Sequence, residues 1–101
     1  MRVLSRSTLE KAWQRFSDAE EPLKAWFHEA KHGQWRTSAD IKKRFRSASF
    51  VKNNRVIFNI KGNTYRLIVF VNYEAAIVYV KWFGTHAEYD SIDVNEVHNE
   101  R

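Results

Sequence analysis

Cysteine is missing from the 101-residue chain, which removes disulfides, thiolate nucleophiles and every zinc or iron–sulfur site that depends on sulfur. Proline occurs once and glycine three times. Pro22 suits the first turn of a helix, Gly33 a helix end and Gly62 a hairpin. Apolar runs are short: none could cross a bilayer, and the opening MRVLSRSTLE has no core long enough for a secretion signal. A cytoplasmic protein without membrane contact is expected. Four histidines are present, yet no two stand with carboxylates at a metal-ligand spacing, so neither a metal nor another cofactor is expected.

Acidic residues are scarce where basic ones collect. Residues 1–30 carry five of each sign, whereas residues 31–55 carry eight basic side chains against Asp40 alone. Residues 56–86 add three basic residues and Glu74, and residues 87–101 reverse to five acids and Arg101. The net charge of +5 is thus concentrated in the middle of the chain, as a surface for an anionic partner would be. A solubilising basic loop is the plainer reading of the same run. Hydrophobic residues at 44% and aromatics at 15%, with no low-complexity stretch, suit one domain around one core.

In chain order, Met1–Leu4 can add an edge strand. Ser7-Thr8-Leu9-Glu10 has the form of a capping box, a hydroxyl on free amides with a glutamate reaching back. Leu9, Ala12, Trp13 and Phe16 then repeat at helical spacing and predict a helix over about 8–16. Ser17-Asp18-Ala19-Glu20 repeats the box, and Leu23, Trp26, Phe27 and Ala30 form a second stripe. Gly33 is placed for a left-handed helix end, with Lys31 and His32 near the negative end of the dipole. This helical cover, about 7–33, has two apolar stripes that need a sheet. A basic connection follows over 34–54, with a short helical turn from Ser38-Ala39-Asp40 through Ile41–Phe45. Lys42, Lys43, Arg44 and Arg46 point outward, while Trp35, Ile41, Phe45 and Phe50 pin the segment to the body. The rest of it reads as irregular.

Residues 55–90 read as three strands of an antiparallel meander and a C-terminal site. With Gly62-Asn63 as a two-residue hairpin loop, Ile60 pairs with Tyr65, Asn59 with Arg66, Phe58 with Leu67, Ile57 with Ile68 and Val56 with Val69. Alternation then gives one face to Val56, Phe58, Ile60, Leu67, Val69 and Val71, the face that takes the helices. The other carries Arg55, Ile57, Asn59 and Lys61 opposite Arg66, Ile68 and Phe70. A four-residue loop at Tyr73–Ala76 puts Val78, Val80 and Trp82 on the core face and Tyr79, Lys81 and Phe83 on the open one, with Lys81 opposite Ile68 and close to Arg66. Cations interleaved with aromatics suit a nucleotide strand, and a merely solvated face seldom holds Phe, Tyr and Ile with cationic charge alone.

Thr85-His86-Ala87-Glu88 is a third capping-box match, so a helix is predicted from Thr85. His86 would lie in its first turn, where the dipole disfavours imidazolium, and Tyr89 three residues on shares its side. For a single histidine, a packing or capping role is the ordinary alternative. His28, His32 and His98 read as helix-surface or tail residues. The acidic end, 91–101, reads as a frayed terminus.

Two stretches together carry a family likeness: FNIKGNTYRL (Phe58–Leu67) and GTHAEYD (Gly84–Asp90), preceded by GQWRTSADIKKRF. Nearly the whole chain resembles the HigB-type toxins of bacterial toxin–antitoxin pairs, within the RelE-like family of ribosome-dependent mRNA endonucleases. The resemblance implies an α+β fold: an N-terminal strand, a two-helix hairpin on one face of a four-stranded antiparallel sheet, and a short C-terminal helix. It also implies mRNA cleavage in the ribosomal decoding site, inhibition of translation, and a helix-turn-helix antitoxin of the HigA type through which oligomers mainly form. Carried over, Arg66 matches the arginine on the strand after the hairpin, a phosphate-stabilising position. Lys81 falls where relatives place a basic residue on the last strand, and His86 and Tyr89 match the C-terminal histidine and tyrosine positions. Relatives vary at Lys61, and RelE itself has lysine and arginine and no histidine near the position of His86, so base and acid stay open.

That chemistry needs a base, an acid and cations, because RNA supplies its own 2′-hydroxyl nucleophile. The candidates are Arg66 and Lys81 on the phosphate, His86 taking the 2′-proton or Tyr89 orienting the hydroxyl, and a protonated group such as Lys61 assisting departure. Lys61, Asn59, Arg55, Lys52, Arg46, Arg44 and Lys43 are the candidates for binding RNA, the basic connection docking on ribosomal RNA. Two other readings remain: a non-catalytic RNA- or ribosome-binding module with the same face, and an interaction domain for an acidic protein. The retained set Arg66, His86 and Tyr89 favours the nuclease.

Overall fold

The computed structural model describes residues 1–94. Strand β1 (Arg2–Leu4) leads into helix α1 (Arg6–Arg15), a 3₁₀ turn (Ser17–Ala19), helix α2 (Glu20–His32) and helix α3 (Ser38–Arg44). Strands β2 (Ser49–Val51), β3 (Arg55–Ile60), β4 (Tyr65–Asn72) and β5 (Ile77–Thr85) follow, and then helix α4 (His86–Tyr89). They form one sheet in the order β1-β5-β4-β3-β2, with β1 parallel to β5 and the other neighbours antiparallel. The class is α+β. The expected four antiparallel strands become five in a mixed sheet, because part of the connection that reads as irregular pairs with β3 as β2. Of the acidic end, residues 95–101, including His98, lie outside the described residues. No helix among the described residues is long and apolar enough to cross a membrane.

The β3–β4 register is the one that the alternation predicts, from Val56↔Val69 to Ile60↔Tyr65. The turn differs in detail. Thr64 N donates to Lys61 O at 3.1 Å, and the left-handed residues are Lys61 (φ 56°) and Gly62 (φ 63°) rather than Gly62 and Asn63.

The β4–β5 register departs from the expectation halfway along. Val71↔Val78 and Val69↔Val80 pair as expected, but a bulge between Ile68 and Val69 makes Lys81 an extra residue. Beyond it Ile68 faces Trp82 and Leu67 faces Phe83. Phe83 therefore enters the core, 5.2 Å from the Tyr65 ring and 6.1 Å from that of Phe16. Trp82 goes to the face away from the helices. The bulge exchanges the two rings and leaves the cationic residue as the one without a cross-strand partner, which a bulge tolerates.

The helix layer seals the face carrying Val56, Phe58, Ile60, Leu67, Val69, Val71, Val78 and Val80, all buried. Leu9 and Ala12 come from α1, Leu23, Trp26 and Ala30 from α2, and Trp35 and Ile41 from the connection and α3. Trp26 meets the Phe58 ring edge-on at 5.5 Å and Phe45 meets it at 4.9 Å. Burying a side chain such as Phe58 contributes about 1.5–3 kcal/mol. Phe50, expected to pin the connection, is instead 38% exposed. It faces Cα-to-Cα across to Val56 on the outermost strand, and Ala48 is the buried residue beside it.

The first two capping boxes do not form. Chain direction changes at Ser5 (φ 68°), so α1 is under way before Ser7, and Thr8 N donates to Ser5 O at 3.0 Å. At the second, the 3₁₀ turn runs straight into α2, backbone carbonyls take the free amides, and the Asp18 carboxylate is released for other partners. Gly33 is extended (φ −74°) rather than left-handed. Glycine serves close approach there, since a Cβ would lie 2.6 Å from Trp35 Nε1. Helix α3 does have a box: the Asp40 carboxylate accepts from Arg36 N (2.8 Å) and Thr37 N (3.0 Å).

Candidate nucleic-acid interface

The strand β5 ends in a capping box that starts α4 at once. Thr85 Oγ1 accepts from Glu88 N at 3.1 Å, and Glu88 Oε1 accepts from Thr85 N at 2.9 Å. His86 N donates to Thr64 O at 3.2 Å, which ties the helix to the β3–β4 hairpin. Glu88 also takes the Arg15 guanidinium of α1. The Thr85 amide, and then Arg15, hold the Glu88 carboxyl below the usual glutamate range. A one-turn helix, marginal alone, is fixed on three sides.

This fixing brings the candidate residues together. The Arg66 guanidinium carbon lies 5.7 Å from the Tyr89 ring centroid, within cation–π range, and Arg66 Nη1 donates to Asn63 O at 3.4 Å. Arg66 faces Gly84 across the sheet on one side and Asn59 on the other. His86 Nδ1 stands 3.3 Å from Asp90 Oδ2, with the imidazole 46% exposed. The Tyr89 ring is 6.3 Å from that of Trp82. Beneath them Ile57 and Ile68 are buried, so the face away from the helices has an apolar floor rather than a solvated one.

Other candidates are dispersed. Lys81, expected close to Arg66 and opposite Ile68, leans the other way: its ammonium is 5.5 Å from the Tyr79 ring, which neighbours Phe70 at 5.9 Å. Arg55 lies at that same end, opposite Phe70. Lys61 does not join the open face. Its ammonium sits 2.8 Å from Asp18, which also accepts the Tyr65 hydroxyl, so the lysine reaches into the helix layer. Lys61, and then Tyr65, pull the Asp18 carboxyl below its ordinary range. Arg44 makes a two-point pair with Glu29 at 2.7 and 3.0 Å. With Lys43 it lines a cleft of about 470 Å³ beside His28 and His32, whose rings are 4.5 Å apart. Lys52 is exposed in the β2–β3 turn and Arg46 just after α3. The basic connection thus lies on the helix layer and the sheet edge, apart from Arg66.

Two members of the cluster were not candidates in the sequence. Asp90 stands four residues after His86, a spacing that places two side chains on one side of a helix and could have found it. Trp82 had no such signal, since its face depends on the bulge.

The sequence pattern of the HigB toxin family, a RelE-like toxic component of a toxin–antitoxin system, matches residues 19–92. The chain belongs to the HigB toxin family. No curated protein matches it. The matched span runs from the start of the α2 region through α4 and takes in Arg66, Trp82, His86 and Tyr89. This HigB-family toxin therefore has the RelE-like α+β fold, and its system supplies an antitoxin as partner.

Proposed function

We propose that this HigB-family toxin is an endoribonuclease that cuts mRNA on the ribosome in the cytoplasm, with a helix-turn-helix antitoxin as its neutralising partner. The observation that carries the reading is the approach of Arg66 to Tyr89 beside His86: a permanent cation, a phenol and an imidazole on one end of the open face. In the reaction the RNA 2′-oxygen attacks the adjacent phosphorus and the bond to the 5′-oxygen breaks. A 2′,3′-cyclic phosphate and a 5′-hydroxyl result.

Each group has a place in that step. Arg66 stabilises charge growing on the non-bridging oxygens. Asp90 beside Nδ1 of His86 favours the proton on that nitrogen and leaves Nε2 to accept the 2′-proton. With Lys61 held by Asp18, the Tyr89 hydroxyl is the donor at hand for the leaving 5′-oxygen. Lys81 and Arg55 follow the strand toward Phe70, while Lys43, Arg44, Arg46 and Lys52 meet ribosomal RNA from the other layer and edge. A free strand rarely has its 2′-hydroxyl in line, so a ribosome that presents the mRNA supplies proximity and orientation.

The test is a translation assay on purified ribosomes with a defined mRNA, read by primer extension. Wild-type toxin should cut within the ribosome-bound codon. Arg66→Ala should cut about 100-fold more slowly, the cost of losing one charge-stabilising donor, and His86→Ala should be similarly impaired. Unchanged cleavage by either variant removes that residue's role. Intact mRNA with tightly bound wild-type toxin would establish the non-catalytic RNA-binding module instead.

A further inference from the structure

The geometry points to Trp82 as the platform on which one unpaired nucleobase of the RNA stacks, next to the phosphate held by Arg66. This rests on the nuclease reading but adds a residue and a ligand moiety to it. Three observations converge. The bulge at Lys81 turns the Trp82 indole out of the core and onto the face of Arg66. The glycine two residues on makes room for the ring: a Cβ at Gly84 would come within 2.5 Å of Trp82 Cη2 and 2.7 Å of Cζ2. The six-membered ring of the indole therefore reaches over Gly84, with the Tyr89 ring at 6.3 Å beside it.

Gly84 is also the residue that Arg66 faces across β4–β5, so cation and indole share one spot. A ring packed for the core alone would gain nothing from leaving it, and Phe83 fills the core position in its place. What a half-buried indole beside Tyr89 offers is an aromatic surface on the face of Arg66, one same-face step along β5 from the residue opposite that arginine. Stacking of a base on an aromatic side chain tolerates every base, because each has a π-face. Purines, with the larger surface, should bind best.

The probe is a short single-stranded 2′-O-methyl oligoribonucleotide, which lacks the nucleophile and cannot be cut. Its failure is thereby separate from failure of the nuclease reading. Affinity is measured at low salt for wild type, Trp82→Phe and Trp82→Leu, each with the oligonucleotide intact and with one abasic position moved along it. Wild type should lose about 5- to 150-fold when the stacked base is removed, the range for one base on one ring. Trp82→Leu should bind the intact strand that much more weakly and be indifferent to the abasic position, while Trp82→Phe should recover most of the loss. Base removal that costs Trp82→Leu as much as wild type would overturn the proposal, as would wild-type binding that no abasic position changes. A Trp82→Phe variant as weak as Trp82→Leu would do so too, because it would point to packing rather than stacking.

Discussion

Arg15 of α1 and Glu88 of α4 form an ion pair that joins the helix layer to the one-turn helix carrying His86 and Tyr89. Both side chains are more than a third exposed, so the pair adds little to global stability, under about 1 kcal/mol. Its effect is local: it holds the carboxylate that also caps α4.

Arg15→Ala should therefore separate stability from activity. Its urea midpoint should stay near that of wild type, while ribosomal cleavage falls on the order of ten-fold through misplaced His86 and Tyr89. Faster amide hydrogen exchange confined to α4 would accompany the loss. A variant with full cleavage would mean that the capping box alone positions the helix.

Arg66→Lys should not rescue Arg66→Ala. An ammonium can neither fork onto two phosphate oxygens nor lie across the Tyr89 ring as a guanidinium does, so cleavage should stay at least about 10-fold below wild type. Single-turnover rates at saturating ribosome concentration would show the deficit in the chemical step rather than in binding.

Gly84→Ala places a methyl group against the Trp82 indole and Glu88 Oε1, both within 2.6 Å of the new atom. One of them must move. The expected cost is about 1–3 kcal/mol of stability, as in other overpacked sites, read as a lower urea midpoint. Trp82 emission should shift to the red as the indole leaves the strand.

Acid should weaken the fold through Asp18, Asp40 and Glu88. Each has its folded pKa below the ordinary value: Asp18 through Lys61 and Tyr65, Asp40 through the amides of Arg36 and Thr37, and Glu88 through the Thr85 amide and Arg15. For a depressed carboxyl, the added stability is complete above the unfolded value and disappears as pH falls through the folded one. With ordinary values of 3.8 and 4.5, the loss should begin below about pH 5 and deepen toward pH 3. Asp40→Asn should be less stable at pH 7 yet lose less on acidification, measured as urea midpoints at pH 7, 5 and 3.

The meander was legible in the sequence because Val56, Phe58 and Ile60 fall on one face at every second position, Arg55 and Asn59 fall on the other, and Leu67, Val69 and Val71 answer the first set across one glycine turn. Nothing comparable marks the bulge. In VKWFG a cation and two large rings follow one another, and either ring could fill the core, so the exchange of Trp82 and Phe83 depended on packing against Phe16 and Tyr65. Asp18 shows the same limit for local signals. Its neighbours have the form of a helix cap, but Lys61 and Tyr65, more than forty residues later, claim its carboxylate. Arg66 and Tyr89 could be placed from their strand and helix positions; Lys61 could not, because its partner lies in another layer.

Lys81 has a second property besides its charge, which is that it takes up a place. Strand β5 runs in one phase from Ile77 to Val80 and in the opposite phase from Trp82 to Thr85, and the lysine is the step between them. An alanine at this position would erase the cation and keep the step. A deletion would do the reverse of a point change: it would leave every other side chain intact and remove the step, so that Val80 and Trp82 follow one another in plain alternation opposite Val69 and Ile68, the valine still inward and the indole still outward. When β5 sequences are laid against one another, faces should be counted forward from Ile77 for the first half and backward from Gly84 for the second.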